Sequence, residues 1–170
     1  MRRIFTFLFV FLVMIMPSFA IEIIDLPDCA FKYSAQTSAS KARVWELWKD
    51  VEHWKHFDER LQYSYLDGDK VFKLGATGVL KGKGAPKTKF TITEFNDGVS
   101  FVERLHLPLY QSIDLKRYYE EDVNGQTVFT HEVQFIGSLR YLYYLILAGP
   151  FKKDLKLVVN LLKVRAEEAD

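Results

Sequence analysis

Three charged or titratable residues fall on the apolar faces of alternating segments, where their types could do chemistry. In segment 113–120, Ile113, Leu115, Arg117 and Tyr119 share one face, and Asp114, Lys116, Tyr118 and Glu120 the other. In 127–135, Phe129, His131, Val133 and Phe135 share a face, opposed by Thr130, Glu132 and Gln134. If the apolar face points inward, Arg117 and His131 point inward too. A hairpin about Val123-Asn124-Gly125 pairs Arg117 with His131 directly. In 99–105, Glu103 shares its face with Phe101 and Leu105, and a fold about Pro108-Leu109 sets it diagonal to Arg117. Opposed side chains lie about 4.5–5.5 Å apart at Cβ, and diagonals remain within reach of long side chains.

An interior guanidinium needs an anion. Glu103 could supply it, or a ligand carboxylate or phosphate could, with Tyr119, Phe101 and Phe129 completing a ligand-binding wall around Arg117, His131 and Glu103. A purely structural Glu–Arg–His cluster, or Arg117 reaching the rim with its stem in the core, is the plainer alternative. No catalytic set is expected. Were the chain an enzyme, His131 and Glu103 would be its acid–base pair, but no nucleophile or metal set accompanies them.

Two other groups of residues suggest sites and fall short. His53, His56, Asp58 and Glu59 are metal-ligand types at a helix end, yet no second ligand pair joins them, so no metal is expected. Gly82-Lys83-Gly84-Ala85-Pro86-Lys87-Thr88 has the wrong glycine spacing for a phosphate loop. Its lysines read as decoration of an exposed hairpin or as contacts for anionic lipid headgroups. No cofactor is expected.

The elements that position these residues follow from periodicity. Segment 31–37 has strand character. Ser38 or Ser40 can cap a helix carrying Val44, Leu47, Trp48 and Val51 on one stripe, and all three tryptophans (Trp45, Trp48, Trp54) lie in this region. Strands follow at 61–66, from Gly78, at 89–93, 99–105, 113–120 and 127–135, with turns at Asp67-Gly68-Asp69, 81–87 and Asn96-Asp97-Gly98. Helix returns at Leu139, with a break expected at Gly149-Pro150. It then carries Phe151, Leu155, Val158, Val159 and Leu162 on one stripe, while Lys156, Asn160, Lys163 and Glu167 face away. Segment 139–148 is apolar all round except Arg140, which suits a core helix or a lid whose tyrosines meet lipid. Helices, an antiparallel meander and a long final helix make an α+β plan in one domain.

Val44-Trp45-Glu46-Leu47-Trp48-Lys49-Asp50-Val51-Glu52-His53-Trp54 resembles the first helices of the START-like (SRPBCC) superfamily, in its polyketide cyclase/dehydrase and lipid-transport group. The ending resembles it too, from Gly137-Ser138-Leu139-Arg140 through Gly149-Pro150 to Asn160-Leu161-Leu162-Lys163 and Glu167. The resemblance implies a helix-grip fold: six or seven antiparallel strands curved around the C-terminal helix, enclosing a cavity for lipids, sterols or polyketides. It does not imply cyclase activity.

The N-terminus sets the compartment. Arg2 and Arg3 precede the apolar run 4–16, and Pro17-Ser18-Phe19-Ala20 offers small residues for cleavage after Ala20. This is the pattern of a signal peptide (1–20), leaving a domain of 21–170, exported to the periplasm or secreted; an uncleaved anchor is the alternative. Removing it lowers Lys+Arg from 23 to 21 against 22 Asp+Glu, a net charge of −1 that argues against a nucleic-acid partner. Cys29 is the single cysteine, so no internal disulfide forms, and it reads as a partly buried small apolar residue. The expected function is an exported carrier of a hydrophobic small molecule or lipid, with transient membrane-surface contact. A cofactor-free cyclase, dehydratase or hydrolase on a hydrophobic substrate is the alternative.

Overall fold

A computed structural model describes residues 22–120 and 126–168. The segment 1–20 expected to be a signal peptide and the turn expected at Val123-Asn124-Gly125 lie outside them. Eight strands form one antiparallel sheet: β1 (Ile24–Leu26), β2 (Ala30–Thr37), β3 (Leu61–Leu66), β4 (Thr77–Gly82), β5 (Lys87–Asn96), β6 (Ser100–Leu107), β7 (Gln111–Tyr119) and β8 (Thr127–Ile136). Their order is β1-β2-β8-β7-β6-β5-β4-β3. Helix α1 (Lys41–Lys49) and a 3₁₀ turn (Val51–His56) link β2 to β3, and α2 (Arg140–Glu167) follows β8. The long helix packs on β2 and β8, so the α+β helix-grip plan is the observed one.

Local sequence explains most of the boundaries. Ser40 caps α1, its hydroxyl accepting the Arg43 N–H at 3.2 Å. The α1 stripe buries Val44, Trp45 and Trp48, and Val51 and Trp54 continue it. The Trp54 indole N–H donates to the Trp48 carbonyl at 2.9 Å, which ties the 3₁₀ turn to α1. Gly78 is required: a Cβ there would lie 2.3 Å from the Tyr65 carbonyl oxygen and 2.4 Å from the Phe90 ring.

Four expectations need correction. The sheet has eight strands rather than six or seven, because three-residue β1 is too short for alternation to reveal. It forms by pairing with β2, Ile24 against Lys32 and Leu26 against Ala30. Gly149-Pro150 does not break the helix: α2 runs through it with Pro150 inside. Both residues face solvent, where water can take the carbonyl that proline leaves free. The start of α2 is a core helix on one face only: Ala148 is buried, and Tyr143, Tyr144 and Leu147 pack against the core. Tyr141, Leu142, Leu145 and Ile146 are exposed, and α2 contributes to the cavity only from Phe151 onward. Finally, two supposedly outward groups on α2 reach back to the sheet. Asn160 Oδ1 accepts the Tyr33 hydroxyl at 3.4 Å, and Glu167 accepts the Thr37 hydroxyl at 2.9 Å.

Candidate functional site

A cavity of about 270 Å³ lies between α2 and the concave face of the sheet. Phe151, Leu155 and Val158 of the predicted α2 stripe form one wall, and Leu80, Leu105, Leu115 and Val133 form the other. Val159 and Leu162, further along the stripe, are fully buried against the core. The β4–β5 turn supplies the rim through Lys83, Ala85 and Pro86. The volume is that of about nine liquid waters, at the small end for a ligand site.

The polar end of this cavity is where strand alternation puts it. Arg117 pairs directly with His131, and Glu103 pairs with Leu115, one diagonal step from Arg117. All three are buried, at 8 % (Arg117), 4 % (His131) and 0 % (Glu103) exposure. Arg117 Nη1 stands 3.1 Å from Glu103 Oε2. The two meet as charges without hydrogen-bond alignment: Arg117 Nε and Nη1 and both Glu103 oxygens lack a hydrogen-bond partner. The guanidinium carbon sits 4.7 Å from the Trp54 ring centroid and 5.1 Å from that of Phe101, so aromatic faces stabilise the cation where water is excluded. Burial opposes the Arg117 charge, and Glu103 and Asp58 favour it. Burial also pushes the Glu103 carboxyl up to about 6, against the pull of Arg117.

His131 is fixed differently. The Trp48 indole N–H donates to His131 Nε2 at 3.0 Å. An indole N–H can only donate, so Nε2 carries the lone pair and the neutral ring holds its proton on Nδ1. Burial, then the nearby Arg117 charge, drives the imidazole well below its ordinary value. At neutral pH the ring is a neutral donor whose basic nitrogen is already engaged.

The structure brings Arg117 and His131 to the cavity wall, with Glu103 behind Arg117. Phe101, Phe129 and Tyr119 are not among the lining residues. They pack around Trp48 with ring centroids at 6.0, 6.1 and 5.1 Å, and the Tyr119 hydroxyl donates to the Lys41 carbonyl at 2.5 Å. Sequence reasoning missed Asp58, Arg60 and Asp154, which join the cavity wall. Asp58 was read only with His53 and His56, yet His53 turns to Asp50 at 2.7 Å. Burial raises the Asp58 carboxyl, and Arg60 pairs with Asp154 on α2. Position after the buried Phe57 was the one available signal for Asp58. Among the described residues, no three His, Cys, Asp or Glu side chains converge on a metal position. Cys29 is buried in the core.

No family model and no curated protein matches the chain. Solved structures do. A protein from Helicobacter pylori superposes with a TM-score of 0.67 at 10% identity, over 89% of this chain and 91% of that one. The major latex-like protein of Panax ginseng gives 0.58 at 11%, over 82% and 97%. An aromatase/cyclase from a Streptomyces species gives 0.62 at 11%, over 81% and 93%. At these identities the likeness is one of fold, and the chain shares that helix-grip fold.

Proposed function

We propose that this chain is an exported carrier that holds a compact hydrophobic molecule in the cavity between α2 and the sheet, its polar head on Arg117. The observation that carries the reading is the cavity itself: a chamber with apolar walls on α2 and the sheet, in which Arg117, braced from behind by Glu103 and flanked by His131, joins Asp58 and the Arg60–Asp154 pair as the charged groups. Apolar walls supply affinity, and few polar groups set orientation. A guanidinium with unused N–H groups suits a carboxylate or phosphate head. His131 supports binding over acid–base chemistry, because its only lone pair is taken by Trp48 and its proton on Nδ1 can only be donated. The aromatase/cyclase among the fold neighbours keeps the enzymatic alternative chemically concrete. Export rests on Arg2, Arg3, the apolar run 4–16 and Ala20.

Gentle native mass spectrometry of protein purified from its own host tests the carrier reading. Wild type should arrive with a bound hydrophobic molecule, and Arg117→Met should arrive depleted of it. An empty wild-type cavity overturns the reading, as does equal occupancy in both. The same spectra give the mature mass: a chain beginning at Ile21 supports export with cleavage, and retention of Met1 in a membrane fraction supports the anchored alternative.

A further inference from the structure

One end of the sheet differs from the rest of the surface. Strand register gathers there the β1–β2 turn, the 83–86 turn between β4 and β5, the Pro108–Tyr110 turn between β6 and β7, and the start of α2. Leu109 (68 %), Tyr110 (103 %) and Leu145 (81 %) project into solvent, joined by Tyr141, Leu142 and Ile146. Exposed apolar side chains gathered at one end of a domain mark an interaction site.

This end is also built rather than merely loose. Leu109 and Tyr110 have φ of 59° and 57°, a left-handed conformation that L side chains avoid and that persists only where surroundings impose it. The surroundings are identifiable. Buried Gln111 donates from Nε2 to the Leu109 carbonyl at 2.8 Å, and its Oε1 accepts the Leu139 N–H at 2.8 Å. One amide thus clamps the apolar turn to the first residues of α2. Gly137, at φ 119°, leaves room for it, since a Cβ there would lie 2.2 Å from Gln111 Oε1. The Tyr143 hydroxyl adds a bond to the Pro108 carbonyl at 3.4 Å.

Charge selects the partner. The β4–β5 hairpin carries Lys81, Lys83, Lys87 and Lys89 with no acid between Thr77 and Thr93. Arg140, Lys152 and Lys153 sit on α2 with no acid between Gly137 and Lys153. At this end the acids are Asp28, then Asp58 and Glu59 beside the β4–β5 turn, Asp25 paired with Lys152, and Asp154 paired with Arg60; the β4–β5 lysines and Arg140 outnumber the unpaired ones. Apolar projections rimmed by cations would oppose one another in a symmetric pair of copies. They match a surface that is anionic at its face and apolar beneath.

We propose that this end docks on an anionic phospholipid bilayer, with Leu109, Tyr110, Leu142, Leu145 and Ile146 entering the interface and Lys83, Lys87 and Arg140 meeting the headgroups. Among the described residues no helix is long and apolar enough to cross a membrane. Lys83, Ala85 and Pro86 rim the cavity at the same end, so docking brings the cavity mouth to headgroup level. That last consequence rests on the carrier reading; the docking itself does not.

Vesicle flotation of the full chain tests it, comparing phosphatidylcholine alone with phosphatidylcholine containing about 30 % phosphatidylglycerol. Wild type should float with the anionic vesicles and detach in high salt. Leu145→Ser/Ile146→Ser and, separately, Tyr110→Ser should each lower the partition coefficient about tenfold. Lys83→Glu/Lys87→Glu should lower it about tenfold or more on anionic vesicles only. Every variant carries the same residues 1–20, so differences among them arise from this end. Wild-type partitioning by all variants, with unchanged melting temperature, overturns the proposal. So does binding to neutral vesicles that equals binding to anionic ones. A dimer in sedimentation velocity that Leu145→Ser dissolves, without vesicle binding, assigns the patch to a second copy instead. Arg117→Met should keep full vesicle binding, which separates failure of the docking from failure of the carrier reading.

Discussion

Glu103 and Arg117 can be removed singly or together, and the outcomes differ in size and in pH dependence. Glu103 is fully buried, with its carboxyl raised from 4.5 to about 6. At 1.36 kcal/mol per pH unit, holding it ionised costs the native state about 2 kcal/mol above that value. The native state binds this proton more tightly than the unfolded chain does. The cost is therefore full above about pH 6 and fades as pH falls to 4.5, so this group makes the protein more stable on acidification through that window.

Arg117→Met deletes the one cation that lowers the Glu103 carboxyl, which then rises further and stays protonated in the fold. Protonating an ordinary carboxyl costs about 5 kcal/mol at pH 8 and about 1 kcal/mol at pH 5. Against the wild-type cost of about 2 and about 1 kcal/mol at those pH values, the variant should lose about 3 kcal/mol at pH 8 and almost nothing at pH 5. Glu103→Gln, a neutral mimic of the protonated carboxyl, should differ little from wild type at pH 5, where Glu103 is already mostly protonated, and should remove the ionisation cost of about 2 kcal/mol at pH 8. Arg117→Met/Glu103→Gln removes both charges and should return to wild-type stability or exceed it by about 1–4 kcal/mol. Urea unfolding of the four proteins at both pH values reads these differences. Equal losses for Arg117→Met at the two pH values, or strict additivity in the double variant, would refute the coupled buried pair.

Other expectations follow from single contacts. Trp48→Ala removes a fully buried indole packed on Phe101, Tyr119 and Phe129, and should cost about 3–5 kcal/mol in denaturant unfolding; an unchanged midpoint would show that this face is not core. Nitrogen-15 NMR of the His131 ring should show the neutral tautomer protonated on Nδ1 from neutral pH to well below 6.5, and a ring that titrates at its ordinary value would contradict its burial under Trp48. Gly137→Ala forces a side chain onto the Gln111 amide at a φ of 119°, and should cost more than about 1 kcal/mol in the same assay; a neutral result would mean the clamp is slack.

The meander and its register were legible because alternation with a buried face is unforgiving: a slip of one residue turns every side chain over. Arg117 opposite His131, with Glu103 on the diagonal, follows directly from which residues share a face with Ile113, Phe129 and Phe101. Short or special pieces were not legible. β1 has three residues and exists only through β2, and the helix tolerates Pro150 because that turn faces water. The start of α2 misled for another reason. Composition predicts burial only when the molecule supplies something to cover the residues, and here Tyr141, Leu142, Leu145 and Ile146 have no covering element among the described residues.

The candidate site divides the same way. Alternation states which face a residue occupies, but not how far along the sheet the core fills and where it leaves space. Phe101, Phe129 and Tyr119 lie on the inward face as expected, yet Trp48 enters from α1 and occupies the volume beside them. The open chamber is displaced toward Leu105, Leu115 and Val133, at the other end of the same strands. Arg117 and His131 stand at the junction, one side against packed aromatic rings and the other against the chamber. Asp58, Arg60 and Asp154 escaped notice because no periodicity marks a residue between a 3₁₀ turn and a strand, and because Asp154 meets Arg60 across most of the chain. Long-range pairing of that kind is a property of the folded sheet and helix together. In this fold Trp48, with its indole on His131, stands between the packed aromatic rings and the chamber, so Arg117 and His131, rather than Phe101, Phe129 and Tyr119, reach the cavity wall.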